Sequence, residues 1–210
     1  MQIKIVNEHH EVLPYWAETP ARQVISLDFH TDTLPAFSRH IAAGNSPPPL
    51  SADPDGIRQI LPFLRHDEHF DYALTAGIVD QITLISHFNF CESPPLGVII
   101  ATPLASPDSL DIDLDDPEFR RRAVLALEDE FLRLRLGDIP SHGYILDIDC
   151  DYITSSAALA PKNPAAFRKL AHNAELITFS REEHWVKLLS LQTDELSSDI
   201  IIGKIVDLLS

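Results

Sequence analysis

The sequence predicts an α/β fold, a three-layer sandwich around a mostly parallel sheet, because of two features. Short runs rich in Ile, Val and Leu alternate along the chain with longer segments of helical period. Several of the short runs are apolar on both faces, which is typical of strands buried in a parallel sheet. The 210 residues are 45% apolar and show no internal repeat, so we expect residues 1–210 to form one globular domain.

Six segments have the length and composition of β-strands. Each is short, rich in β-branched and other apolar side chains, and bounded by polar or turn-forming residues. The predicted strands cover residues 2–6, 23–29, 81–87, 96–102, 143–149 and 175–179. Two proline-rich segments that interrupt the pattern, residues 45–54 and 92–116, are predicted to be surface loops.

Four segments have helical patterns, and the clearest covers residues 117–136. Pro117 suits its first turn and Gly137 suits its end. Its apolar stripe consists of Phe119, Ala123, Leu127, Phe131 and Leu134. The other predicted helices cover residues 67–76, ended by Gly77, a segment that starts at Arg181 with Ser180 as its cap, and residues 194–209.

Charge and cysteine content limit the functions that the chain can have. The formal net charge of −16 disfavours binding to nucleic acid or anionic lipid and favours a cationic substrate. No apolar run approaches ~18 residues and the first residues lack a signal-peptide pattern, so we expect neither a membrane span nor secretion. Two cysteines, Cys91 and Cys150, cannot form a disulfide framework and favour a reducing, cytoplasmic compartment.

Side chains with metal-binding atoms recur at the carboxyl ends of two predicted strands. In ISLDFHTDT, the side chains of Asp28, His30 and Asp32 point the same way if the extended conformation continues. Because ligands collect beyond the carboxyl ends of parallel strands, we expect this cluster to meet a second one at the same edge. In the second cluster, YILDIDCDYIT, the same spacing is repeated by Asp147, Asp149 and Asp151.

The make-up of the two clusters predicts a metal site. Up to five carboxylates and one imidazole in one place cannot all stay charged unless cations neutralise them. The ligands are mostly oxygen with some imidazole, which favours Mn²⁺ over Zn, Co or Fe. Cys150 alternates with the aspartates, so we expect its side chain to face the opposite side and pack there.

Both clusters resemble the metal motifs of arginases and related ureohydrolases, which share a superfamily with deacetylases. DFHTD is similar to their D-A-H-x-D motif, and LDIDCD is similar to their S-F-D-x-D motif. The segment VNEHHEVLP resembles the start of a smaller family, the peptide arginases, which convert arginine residues of ribosomal peptides to ornithine. The resemblance extends over about residues 6–183 and implies an arginase-like fold.

The resemblance implies a site with two Mn²⁺ ions in each chain. His10 is an alternative to His9 as a ligand, and Asp151 is a further carboxylate of the second motif. The ligands that the resemblance assigns are His9, Asp28, His30, Asp32, Asp147 and Asp149.

The resemblance also implies roles in binding and catalysis. The segment LITFSREEHW resembles the L-T-Y-R-E segment of arginases, whose glutamate binds the substrate guanidinium. Glu182 matches that glutamate here, and Glu183 is the alternative. Asp32 is expected to bind metal and also to accept a hydrogen bond from the attacking water, and His69 is expected to move protons.

The implied reaction is hydrolysis of the guanidinium of arginine residues in a peptide substrate, which yields urea and ornithine residues. Three alternatives stay open. The chain could be a ureohydrolase of arginine, agmatine or another small guanidino compound. It could be a zinc deacetylase on the same fold, or a metal-binding protein without turnover.

Overall fold

The computed structural model contains one sheet of six strands and describes residues 2–89, 94–101, 113–191 and 195–209. The strands are β1 (Gln2–Val6), β2 (Gln23–Asp28), β3 (Gln81–Ser86), β4 (Val98–Ile100), β5 (Tyr144–Asp149) and β6 (Leu176–Ser180). Their order in the sheet is β1-β6-β5-β2-β3-β4. All five pairings between the described strands are parallel, which confirms the predicted mostly parallel sheet.

The described part of the chain has nine α-helices, and none of them is long and apolar enough to cross a membrane. They are α1 (Leu13–Ala17), α2 (Ser38–Ala42), α3 (Pro54–Ile60), α4 (His69–Thr75), α5 (Pro117–Val124), α6 (Asp129–Leu136), α7 (Ala165–Asn173), α8 (Glu183–Leu189) and α9 (Ser198–Leu208).

Helices cover both faces of the sheet, as the predicted three-layer sandwich requires. Val24 and Ile145 belong to an apolar core that β2 and β5 share with α1, α3 and α4. Leu27 and Leu146 belong to a second core, which includes residues of α6, α7 and α9. Alternate strand residues point to opposite faces, so the two cores are built from interleaved positions of the same strands. Cys150 is fully buried in the second core, which confirms its predicted packing.

The helix predicted over residues 117–136 is interrupted, because α5 ends at Val124 and α6 begins at Asp129. Glu128 has an extended backbone there, with φ −72° and ψ 146°. Its carboxylate accepts hydrogen bonds from the backbone N–H groups of Lys162 and Asn163, at 2.7 and 3.0 Å. This anchoring to a distant loop breaks the helix, although the apolar stripe continues through the break. Gly137, with φ 64°, ends α6 as predicted.

The helix predicted to begin at Arg181 begins two residues later, and Ser180 is not its cap. β6 includes Ser180, and the N–H of Arg181 donates to the Val6 carbonyl at the end of β1, at 3.1 Å. Glu182 then adopts a left-handed conformation, with φ 39° and ψ 44°, and α8 starts at Glu183. Pairing with β1 therefore extends the strand at the expense of the helix.

The remaining differences are at the ends of elements and in short helices. The segment 67–76 contains a short 3₁₀ helix, His66–Glu68, followed by α4. The last helix begins at Ser198, with Ser197 as its cap. Its predicted start, Asp194, lies outside the described residues, as does Cys91. Residues 92–93 and 102–112 of the predicted loop lie outside them too, and residue 102 is also the last residue of the predicted strand 96–102. Helices α1, α2, α3 and α7 have no counterpart among the predicted helices.

The register of β2 and β5 brings the two polar clusters to one edge of the sheet. β2 pairs directly with β5, with Ser26 opposite Asp147 and Leu27 opposite Ile148. Asp28 and Asp149 are therefore the last residues of adjacent parallel strands. This confirms the expectation that both clusters meet beyond the carboxyl ends of the strands.

Candidate metal centre

Turns after β2 and β5 bring the side chains of the two clusters together. The chain leaves the sheet after Asp28, so the extended conformation does not continue through Asp32. The Asp28 Oδ1 atom accepts a hydrogen bond from the His30 N–H at 2.8 Å, and Asp32 is left-handed with φ 37°. After β5, a short 3₁₀ helix, Cys150–Tyr152, carries Asp151.

The possible ligand atoms form three groups. One of them consists of His9, His69 and Asp147, and the other two, which share Asp28, are called the cation groups. Within each group all the ligand atoms lie within 4.8 Å of one another. In the first cation group, His9 Nδ1 is 3.5 Å from Asp28 Oδ2 and 3.1 Å from Asp149 Oδ2. In the second, His30 Nδ1 is 3.2 Å from Asp151 Oδ2. The first cation group consists of His9, Asp28, Asp32 and Asp149, and the second consists of Asp28, His30 and Asp151.

Two buried atoms at the centre of the first cation group fit a bound cation. His9 Nδ1 and Asp28 Oδ2 make no hydrogen bond, although they are buried and only 3.5 Å apart. An unsatisfied buried polar atom costs about 1–3 kcal/mol. A divalent cation between the two would satisfy both, and a mixed oxygen and imidazole donor set suits Mn²⁺.

The electrostatics of the centre also indicate missing positive charge. Burial, followed by the nearby carboxylates of Asp32 and Asp151, raises the pKa of Asp28 well above its usual value. Burial and Asp151 raise the pKa of Asp149 to about 7. Burial lowers the pKa of His9, but Asp147 and Asp149 outweigh it and raise that pKa well above the usual value. Buried carboxyl groups packed this closely keep their negative charge only where cations offset it, and otherwise bind protons.

Asp147, a predicted ligand, faces the opposite side of the His9 ring. Its Oδ2 atom lies 2.7 Å from His9 Nε2 and accepts a hydrogen bond from Ser26 Oγ at 2.7 Å. Its Oδ1 atom accepts a hydrogen bond from Thr178 Oγ1 at 2.6 Å. With both oxygens occupied, Asp147 orients His9 so that Nδ1 faces the two cation groups. Asp149 and Asp151 belong to the two groups that share Asp28, whereas Asp147 belongs to the group with His9 and His69, so its role as a metal ligand stays a prediction.

Ser26, Thr178 and Trp16 were not predicted from the sequence. Thr178 accepts a hydrogen bond from Trp16 Nε1 at 3.3 Å and donates to Asp147. All three side chains are fully buried. A polar residue inside an otherwise apolar strand is the signal that could have identified Ser26 and Thr178.

The other two histidines named from the sequence lie outside the two cation groups. His10 is half-buried, its Nδ1 has no partner, and it belongs to neither group. His69 is fully buried against His9, with their ring centroids 4.0 Å apart. Burial, followed by the nearby His9, lowers the pKa of His69 well below its usual value. His69 is therefore a neutral ring behind His9 rather than a residue open to a substrate.

The Glu182 carboxyl group lies beside the two cation groups, whereas the Glu183 carboxylate has partners in other parts of the chain. The Oε1 atom of Glu182 accepts a hydrogen bond from the His9 N–H at 3.0 Å, and its Oε2 lies 3.5 Å from His66 Nδ1. Burial and the charge of Asp149 raise the pKa of Glu182 to about 9. Glu183 instead accepts a hydrogen bond from the Ser198 N–H at 2.8 Å and pairs with Lys187.

A cavity of about 360 Å³ lies next to Glu182. Its wall includes His66 and Trp185, whose rings are 6.1 Å apart. Trp185 also lies 5.4 Å from the ring of His30. Glu182 therefore lines the cavity, and Trp185 links the cavity wall to His30 of the second cation group.

The fold and the site together define an α/β protein whose parallel sheet carries a buried carboxylate–imidazole centre with two adjoining cation groups. Among solved structures, an agmatine ureohydrolase of Thermoplasma volcanium is similar, with 13% identity and a TM-score of 0.48. A proclavaminate amidino hydrolase from Streptomyces clavuligerus has 17% identity and a TM-score of 0.43. Both alignments cover 99% of this chain but only 60% and 62% of those chains. No protein-family model and no curated protein matches the sequence.

We expect each chain to bind two Mn²⁺ ions, and we expect this binding to stabilise the folded protein. At a free concentration about 100-fold above the dissociation constant, the gain is about 2.7 kcal/mol per site. Asp28→Asn should lose this gain, because Asp28 belongs to both cation groups. Thermal unfolding and elemental analysis measure the effect, with Asp55→Asn, at an 85% exposed side chain, as the control. Equal metal content in Asp28→Asn and the wild type would contradict the assignment.

The affinity for Mn²⁺ should decrease as the pH falls below about 7. In the metal-free protein the pKa of Asp149 is about 7, so protons occupy this carboxyl group at lower pH. Metal binds the ionised form, so binding competes with protonation and releases protons. Calorimetric titrations at pH 6 and pH 8 should show weaker binding at pH 6. An unchanged dissociation constant would show that no ligand titrates in this range.

Replacing Asp147 should affect both stability and metal binding. In Asp147→Ala, the groups that contact its oxygens lose their acceptor, which should cost about 3 kcal/mol. His9 then loses its fixed orientation, and metal affinity should fall about 10–100-fold. Asp147→Asn keeps one acceptor oxygen, so its stability and its metal affinity should lie between those of Asp147→Ala and the wild type. Denaturant unfolding and metal titration test this, and full metal affinity in Asp147→Ala would refute the orienting role.

Proposed function

We propose that this chain is a metal-dependent hydrolase that cleaves the guanidinium of arginine residues in a peptide, which releases urea and leaves ornithine residues. One observation carries the proposal: a buried carboxyl group, Glu182, lies beside the two cation groups and borders a cavity. Nearby cations and the guanidinium itself favour the ionised form of Glu182, and its carboxylate then matches a planar guanidinium, which it can bind through two parallel hydrogen bonds.

The two groups would hold a pair of divalent ions, with Mn²⁺ as the expected metal. His9, Asp32 and Asp149 would bind one ion, His30 and Asp151 the other, and Asp28 both. When bound, such ions supply Lewis acidity that makes a water molecule nucleophilic at neutral pH. Two groups rather than one also favour this reading over a deacetylase with a single zinc ion.

The residues of the chain would bind the substrate and move the protons. Glu182 holds the guanidinium so that its carbon faces the cation groups, and Asp32 accepts a hydrogen bond from the attacking water. The water oxygen bonds to the guanidinium carbon, and the bond from this carbon to the side-chain nitrogen breaks. The leaving amine needs a proton, which His66 at the cavity wall can supply more directly than the buried His69.

The charges around the cavity support a substrate without a free α-carboxylate. Glu8 and Glu183 lie on its wall, and the cation of the same wall, Arg181, already pairs with Asp199. The described lining therefore offers no free Arg or Lys to a carboxylate. An arginine residue inside a peptide has no such group, and the net charge of −16 favours a cationic partner. Agmatine also lacks a carboxylate, which makes it the second candidate substrate.

Urea release with Mn²⁺ should therefore be faster from an arginine-containing peptide than from free arginine. The assay runs in parallel on the peptide, agmatine and free arginine, each at the same concentration. Faster release from agmatine than from the peptide would favour the small-molecule ureohydrolase. Mn²⁺ binding without urea from any of the three would favour a protein without turnover.

Within the same assay, Glu182→Gln should keep both metal ions and lose about 100-fold or more in kcat/KM, because a neutral amide cannot pair with a guanidinium. Glu183→Gln is the matched control, since its side chain contacts Ser198 and Lys187 instead. Full activity in Glu182→Gln together with loss of activity in Glu183→Gln would reverse the assignment.

A further inference from the structure

Arg122 of α5 and Arg135 of α6 are withdrawn from solvent but form no ion pair in the described part of the chain. Arg122 is only 5% exposed, and Arg135 is half-buried. The arginines that do form ion pairs with carboxylates are Arg22, Arg39, Arg58, Arg120, Arg121, Arg133 and Arg181. In a chain with twice as many acidic as basic residues, 32 against 16, two sequestered and unpaired guanidinium groups need an explanation.

Each guanidinium has hydrogen-bond donors left over. Arg122 Nη1 donates to the His87 carbonyl at 2.9 Å, and Arg135 Nη1 donates to the Phe131 carbonyl at 2.9 Å. The Nε atoms of both are buried without an acceptor. Burial lowers the pKa of both groups, and for Arg135 the positive charge of Arg122 adds to this effect. An anion near both would remove this cost.

Both arginines line one cavity of about 660 Å³, and three of the four carboxylates on its wall have partners of their own. Glu118 pairs with Arg121 at 3.0 Å, and Asp129 pairs with Arg133 at 2.8 Å. Glu128 accepts two backbone N–H groups from the neighbouring loop. The exposed Glu130 lies on the same wall, but it forms no ion pair with either guanidinium. Glu118 and Asp116 attract the positive charge of Arg122, but no described carboxylate forms an ion pair with Arg122 or Arg135.

The rest of the cavity wall includes apolar side chains. Leu125 and Phe131 contribute to it, as does Leu134, which is 80% exposed. Arg135 lies over the Phe131 ring, with its guanidinium carbon 3.3 Å from the ring centroid. The wall thus combines two guanidinium groups with an apolar surface.

We propose that this cavity is a second binding site, distinct from the metal centre, for an organic carboxylate with an apolar portion. Its carboxylate accepts hydrogen bonds from Arg122 and Arg135, which present the fork geometry that suits this group. Its apolar portion lies against Leu125 and Leu134. None of the metal-centre residues lines this cavity, so the site does not depend on the proposed function.

The test uses octanoate as the probe and the full-length, Mn²⁺-loaded protein. Octanoate should raise the unfolding temperature of the wild type and bind in calorimetry. Arg122→Gln and Arg135→Gln should each weaken this binding at least tenfold. Arg121→Gln, on the same wall but 67% exposed and paired with Glu118, is the matched control and should bind like the wild type. Without octanoate, Arg122→Gln should unfold at the same temperature as the wild type or higher, because it removes an unpaired buried charge.

Failure of octanoate to bind the wild type would overturn the proposal, as would wild-type affinity in both Arg122→Gln and Arg135→Gln. Because Arg135 is less buried, Arg135→Gln keeps the test decisive if Arg122→Gln does not fold. Inorganic phosphate serves as a second probe. Binding of phosphate but not octanoate, lost in the same two variants, would overturn the assignment to an organic carboxylate.

Discussion

Mutual repulsion between buried carboxylates at the ends of two adjacent strands is the constraint on which the site depends. Asp28 and Asp149 end β2 and β5, which pair directly, so their side chains cannot separate without breaking the centre of the sheet. In a medium of low dielectric constant such groups either bind protons or require cations. The raised pKa values of both groups and the unsatisfied His9 Nδ1 both fit a centre that binds cations.

The chain holds this repulsion in place with a network that is itself buried. Asp147 joins β2, β5, β6 and the segment after β1 through its contacts with Ser26, Thr178 and His9. One carboxylate thus ties together the strands and also fixes which nitrogen of His9 faces the cations. Stability and metal affinity are coupled here, because the same hydrogen bonds serve both.

The end of β6 shows how strand pairing can position a functional group. Because the Arg181 N–H donates a hydrogen bond to the end of β1, α8 begins only at Glu183 and Glu182 adopts a left-handed conformation. For a residue other than glycine, this conformation costs about 1 kcal/mol or more. The left-handed conformation directs the Glu182 carboxyl group to the His9 N–H and the cation groups, and these contacts offset its cost. Glu183 starts the helix and accepts a hydrogen bond from the Ser198 N–H.

The sequence alone determined the parallel α/β fold and most of the donor types at the strand ends, because alternation and apolar runs are local properties. It also identified His9, Asp28, His30 and Asp149 as members of one cluster. The tertiary structure decided what depends on neighbours distant in sequence: that Asp147 accepts hydrogen bonds from Ser26 and Thr178 while Asp151 lies in a group with His30, and that Glu128 interrupts the helix. Spacing along a strand shows which side chains share a face, but only the packed sheet shows which donors have already occupied each oxygen.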